Sequence, residues 1–216
     1  MLKKVIAVNS ARKNMSTANL LQRALEGARE KGAQTEIIHL HDYNVNGCKG
    51  CMACKMLKNV PPKRCLQNDE LAPILEKCVS ADVLIVGSPI YMWQPGGFFR
   101  CFSERYLYPY FIYGNPKENY FPNKNQKIGL VFSMGAPVEM FPQFEKSLQV
   151  WEQLYQAMAN GKIESVKAFR TWHVKPNSFP KYELDCLNEP ERTTYNNEWI
   201  EKNLEEAYQM GKRLAE

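Results

Sequence analysis

Short apolar runs alternate with amphipathic stretches along most of this chain, and that alternation restricts the fold more than any other feature. Strand candidates occur at residues 4–8, 35–40, 83–87, 128–132 and 166–172. Helix candidates lie between and after them at 17–31, 69–79, 97–106, 141–160 and 197–214. In 17–31, Leu20, Leu21, Ala24, Leu25 and Ala28 fall on one face and Gly32 supplies the stop. Asp69 suits a cap for the second helix, and Gly161 a stop for the fourth. Strands separated by helices imply a parallel sheet covered on both faces, a doubly wound α/β domain in three layers. The 216 residues fit one such domain, 1–216.

In such sheets, ligands bind beyond the carboxyl ends of the strands, at a switch point. Three loops there carry chemistry. The first, 9–16, joins a buried strand to a helix whose N-terminal N–H groups suit a phosphate. Ser10, Ser16 and Thr17 add hydroxyls and Arg12 a charged fork. The loop lacks the glycines of a dinucleotide fingerprint and the Gly-Lys-Ser/Thr of a P-loop. It suits a terminal phosphate monoester, as in FMN; helix capping is the plainer use of its Ser and Thr. The second loop, 88–94, holds Pro89, Tyr91, Met92 and Trp93, able to cover a flat ring, or to pack as a hydrophobic turn. The third, 133–136, holds Ser133 and Gly135, where backbone can approach a ring closely.

Cys48, Cys51 and Cys54 are spaced by two residues, and Cys65 follows. Such a run can place four thiolates around a [4Fe–4S] cluster. Zinc sites more often use separated Cys-x-x-Cys pairs. Free thiols are the third reading. Seven cysteines, an odd number, fit reduced thiols or metal ligands better than a disulfide scaffold. Cys78 and Cys101 read as small core residues, and Cys186 has no nameable partner. His39, His41 and His173 sit near strand ends with structural or surface roles.

Two segments break the alternation. Residues 55–64 form a basic, Pro-containing insertion within a cysteine-rich stretch at about 47–66. Residues 106–121 are dense in aromatics, either a subunit interface or a loop folded back on its own domain. The net charge of +5 is too small and dispersed for nucleic acid. No stretch nears the roughly 20 apolar residues of a membrane span, and "MLKKVIAV" reads as a first strand, not a leader. A cytoplasmic setting is expected.

"SARKNMST", the cysteine run, "ADVLIVGSPIYMW", "GGFFRCFSERY" and "LEEAYQMGKRLAE" together resemble the flavodoxin-like NAD(P)H-dependent FMN reductases, and more narrowly their iron-sulfur flavoprotein branch. The resemblance implies a five-stranded parallel sheet in flavodoxin order with FMN at its carboxyl edge. It implies Ser10, Arg12, Ser16 and Thr17 on the phosphate. Pro89, Tyr91, Met92 and Trp93 would line the isoalloxazine, with Ser133 and Gly135 opposite. It also implies a homodimer or homotetramer. Departures exist: the family's Gly-Ser-Pro-Arg is Asn9-Ser10-Ala11-Arg12 here, its Lys and Asp-Arg become Arg100 and Glu104-Arg105, and the gap from Cys54 to Cys65 is longer. The expected activity moves a hydride from NAD(P)H to FMN and electrons onward to a small-molecule or protein acceptor, with a [4Fe–4S] cluster as one route. Alternatives are a cluster-free FMN or quinone reductase, and an electron carrier that binds no nicotinamide.

Overall fold

The computed structural model describes residues 2–56, 64–114, 121–158, 163–172, 174 and 190–216, the side chains of 190–196 excepted. His173, Cys186, the Gly161 stop, most of the basic insertion and residues 115–120 of the aromatic segment lie outside them.

The elements run β1 (Lys4–Asn9), α1 (Ser16–Glu30), β2 (Gln34–His39), α2 (Leu71–Val79), β3 (Val83–Tyr91), β4 (Gln94–Pro95), α3 (Gly97–Leu107), β5 (Lys127–Ser133), α4 (Glu145–Met158), β6 (Ile163–Ala168) and α5 (Pro190–Ala215). The sheet order is β2-β1-β3-β5-β6, all parallel, with β4 paired to β3 alone. This is the doubly wound flavodoxin order that the family resemblance implied, with one addition. The sixth strand is a two-residue antiparallel piece that turns the second loop into a hairpin. β3 consequently continues through Pro89 and Ile90 to Tyr91.

The central strands are apolar throughout because both their faces are covered. Alternate residues feed opposite cores. Ile6, Val8, Leu84, Val86, Leu130 and Phe132 face α2, α3 and α4, meeting Phe99, Phe102, Leu148 and Tyr155. Val5, Ala7, Val83, Ile85 and Val131 face α1 and α5, meeting Leu21, Leu25, Met210 and Leu214. α1 and α5 touch backbone to backbone: a Cβ at Gly211 would lie 1.8 Å from the Ala24 carbonyl oxygen, and one at Gly27 2.1 Å from that of Tyr208.

Several boundaries differ from the sequence expectation. Pro142 lies in a 3-10 segment, Val138–Gln143, so α4 starts at Glu145. β6 ends at Ala168, and Arg170 adopts a φ of 53°. α5 starts at Pro190, a favoured first helical position. Asp69 lies one residue before Glu70 at the N-terminus of α2, and its carboxylate accepts the Leu71 and Ala72 N–H groups of the first turn, as a cap does, as well as the bonds from Arg105. Aromatics of the 106–121 segment turn inward: Tyr106, Tyr110 and Phe121 are buried, and Tyr113 is exposed.

Candidate functional site

Strand register brings the three carboxyl-end loops together. Asn9 pairs with Gly87 between β1 and β3, and Pro89 with Ser133 between β3 and β5. Asn9 is fully buried and fixes the start of its loop. Its Oδ1 accepts the Ala11 N–H at 3.1 Å, and its Nδ2 donates to the Ala11 carbonyl and to His39 Nδ1, both at 2.9 Å. The side chain thus closes an Asx turn that a glycine would leave loose. Because Nδ2 only donates, His39 Nδ1 is an acceptor and the imidazole is neutral. Burial and the nearby Lys13 charge hold the His39 pKa below its ordinary value, against an opposing pull from Asp42.

Ser10 is buried, and its hydroxyl donates to the Gly87 carbonyl at 2.8 Å while its N–H reaches the same oxygen at 3.1 Å. It fastens β1 to β3 and lies off the cavity wall. Arg12, Met15, Ser16 and Thr17 do line a cavity of about 340 Å³, together with Pro89, Tyr91, Ser133 and Gly135. Met15, at the α1 N-cap position, gives no side-chain cap to the first turn of α1. Thr17 and Ser133 join the two sides at 2.6 Å. The far wall, Thr171, Trp172 and Val174, was not foreseen from sequence, where 166–172 read as strand. Its one signal is position: it follows β6 at the same sheet edge.

Met92 and Trp93 line an adjoining apolar cavity of about 510 Å³, which shares Ile90, Tyr91, Met134 and Gly135 with the first. They form the tip of the β3–β4 hairpin with φ of 48° and 66°. Two positive values suit a type I′ turn, normally built with Asn or Gly. Non-glycine residues held there carry strain of about 1–3 kcal/mol each. The tip is braced: the Trp93 ring stacks on Phe144 at 5.4 Å, and Ser147 Oγ donates to the Trp93 carbonyl at 2.8 Å. Both cavities fall in the range of about 300–1,000 Å³ typical of small-molecule sites.

Cys48, Cys51, Cys54 and Cys65 line a third, much smaller cavity of about 20 Å³. Cys48 and Cys51 are exposed, Cys54 and Cys65 half-buried. Burial raises the Cys54 pKa, the Lys55 charge opposes this, and neighbouring Cys65 and Cys48 raise it further. The Lys55 ammonium donates to the Tyr108 and Phe111 carbonyls and sits 4.5 Å from the Tyr108 ring centre. It ties the cysteine loop to the aromatic segment. Arg105 Nε donates to Cys65 Sγ at 3.3 Å. Among the described residues, no three His, Cys, Asp or Glu side chains are disposed to hold a single metal ion. Four thiols on one cavity suit an iron–sulfur cluster by donor chemistry. The space is about one water probe in size, smaller than such a cluster. This cavity shares no lining residue with the two larger ones. Cys78 is fully buried, whereas Cys101 is half-buried.

Residues 3–136 match the model of the family described as NADPH-dependent FMN reductase. An iron-sulfur flavoprotein of Archaeoglobus fulgidus is 35% identical over 102 residues, 47% of this chain and 48% of that protein. One from Methanosarcina thermophila is 34% identical over 83 residues, 38% and 41% of the two chains. The matches thus span about half the length of these curated relatives or less. A solved NAD(P)H:quinone oxidoreductase from Methanothermobacter marburgensis superposes with a TM-score of 0.65 at 13% identity, covering 100% of this chain and 98% of the other. A flavodoxin from the domain Archaea gives 0.51 at 12%, covering 98% and 96%. These two likenesses concern the fold. Among the described residues, no helix is long and apolar enough to cross a membrane.

Proposed function

Because the chain belongs to the NADPH-dependent FMN reductase family, we propose that it is an FMN-dependent oxidoreductase that takes a hydride from NAD(P)H and delivers electrons to an acceptor. The observation that carries this reading is the 340 Å³ cavity at the carboxyl edge, which Arg12, Ser16 and Thr17 line together with Pro89, Tyr91 and Gly135. The first group suits a phosphate, the second the edge of a flat ring.

FMN supplies the hydride-accepting ring when bound. The chain binds and orients it. Arg12 and the first turn of α1 attract the phosphate. The stiff Ser88–Pro89 backbone and the braced Met92–Trp93 tip frame the ring and exclude water from one face. The adjoining apolar cavity provides room for a planar partner. An iron–sulfur cluster on Cys48, Cys51, Cys54 and Cys65 would take electrons singly. The cluster-free reductase is the second reading, favoured by the small space between the thiols. Subunit pairing through the surface of the aromatic segment, and a cytoplasmic setting, belong to the same proposal. Light scattering at micromolar concentration tests the pairing, and a monomer refutes it.

The test of the main reading is FMN titration of Arg12→Ala/Ser16→Ala. Losing a charge-assisted contact costs about 1.5–3 kcal/mol, so the double variant should bind FMN at least tenfold more weakly with its thermal midpoint unchanged. Equal affinity rejects the phosphate assignment. Bleaching of bound FMN by NADPH or NADH separates the enzyme from an electron carrier, which would stay oxidised.

A further inference from the structure

The inner side of the cysteine segment is held by one side chain. Arg105 is 2% exposed, on α3. Its terminal nitrogens grip the Asp69 carboxylate at 2.6 and 2.8 Å, and Nη1 also donates to the Asn46 carbonyl at 2.9 Å. These bonds orient the guanidinium plane, and Nε is left facing Cys65 Sγ at 3.3 Å. Asn46 lies just before the Cys48–Cys54 run, and Cys65 and Asp69 lie after the insertion. One rigid fork thus spans both flanks of the segment. Arg105 also lines the same cavity as the four cysteines. Lys55, next to Cys54, is directed at backbone carbonyls instead.

A guanidinium remains charged under all ordinary conditions. Paired to Asp69, its effect on the sulfur is a directed N–H···S bond more than a bare charge. Adding an electron to a thiolate-ligated centre puts more negative charge on the ligand sulfurs. A fixed donor to one of them is then bound more strongly in the reduced form. Hydrogen bonds to sulfur are among the levers by which proteins set cluster potentials.

Resting on the reading that the four cysteines hold an iron–sulfur cluster, we infer that Arg105 is a positioning and potential-setting residue. Its Nε–H bond to Cys65 keeps the fourth ligand in the set and raises the reduction potential of the centre. The electron comes from reduced flavin, and no proton need move at Arg105.

The experiment compares wild type, Arg105→Gln and Arg105→Lys after anaerobic reconstitution with iron and sulfide. Iron, sulfide and FMN contents are measured, and the midpoint is read by EPR-monitored redox titration. At the wild-type midpoint, the reduced fraction of Arg105→Gln should fall from one half to about one tenth, a tenfold change or ~59 mV for one electron. Arg105→Lys, which keeps the charge but loses the fork, should fall between the two and carries the test if the Gln variant does not fold. An unchanged midpoint in the folded variants, at full or reduced iron content, overturns the inference and leaves the cluster reading standing. A wild-type protein that takes up no iron overturns the cluster reading, and this inference falls with it.

Discussion

Thr17 Oγ1 and Ser133 Oγ meet at 2.6 Å, joining the first turn of α1 to the carboxyl end of β5 across 116 residues. Both side chains are nearly fully buried, and both line the 340 Å³ cavity. Only one hydroxyl proton can lie between them, so the other is available to a ligand oxygen. Thr17→Val keeps the shape and removes the pair, leaving the Ser133 hydroxyl buried without it. An unsatisfied buried group costs about 1–3 kcal/mol. The expected result is a lower urea midpoint and FMN affinity reduced about tenfold, equivalent to ~1.4 kcal/mol. Equilibrium unfolding and fluorescence titration measure the two effects separately.

His39 should give the first loop a pH dependence. Its folded pKa is lowered, mainly by burial, whereas the unfolded side chain titrates near ~6.5. The unfolded state therefore binds more protons in the window between those values. The stability contribution is complete above about pH 6.5 and is lost as pH falls through the folded pKa. Protonation at Nδ1 also breaks the bond from Asn9. Unfolding midpoints across pH 5–7 should slope downward toward acid in wild type and flatten in His39→Gln; parallel curves reject the assignment.

The thiols should label in a set order. Iodoacetamide on apo protein, followed by peptide mapping, should modify exposed Cys48 and Cys51 first and Cys54 more slowly, since burial raises its pKa. Cys78 is fully buried with a strongly raised pKa and should react only after denaturation. Early labelling of Cys78 contradicts the packing of α2.

Glycine substitutions should separate packing from propensity. Gly211→Ala drives a methyl into the Ala24 carbonyl, and overpacking of this kind costs about 1–3 kcal/mol or more. A Cβ at Gly97 meets nothing within 4 Å, so Gly97→Ala should be neutral or stabilise by up to ~1 kcal/mol. Urea denaturation of the two variants tests the contrast.

The sequence disclosed the parallel sheet and the three loops because β1, β3 and β5 are apolar runs that end in polar or glycine-containing turns, and the strand order came from the family resemblance. Register then does what spacing cannot show. Asn9 opposite Gly87 makes the Gly87 carbonyl the acceptor for Ser10, so a residue read as a phosphate donor becomes a fastener between strands. Trp172 was hidden because β-branched and aromatic residues after Val166 look like continuing strand, while Arg170 turns the chain at positive φ. Arg105 read only as a conserved charge sign relative to the family pattern. Its ties to Asn46, Cys65 and Asp69 join positions 59, 40 and 36 residues away, which no local periodicity encodes.

The backbone contact between α1 and α5 has a consequence for how the protein is made. Lys212 reaches Glu30 at 2.7 Å across 182 residues, and Gly27 and Gly211 allow the two helices to interlock. α1 carries the turn that would receive the phosphate, yet its outer packing surface is completed only when α5 arrives. During synthesis at roughly 5–20 residues per second, that is a wait of about ten seconds or more. A nascent chain therefore has its cofactor loop early and the rigid support of that loop late, once α5 has been made.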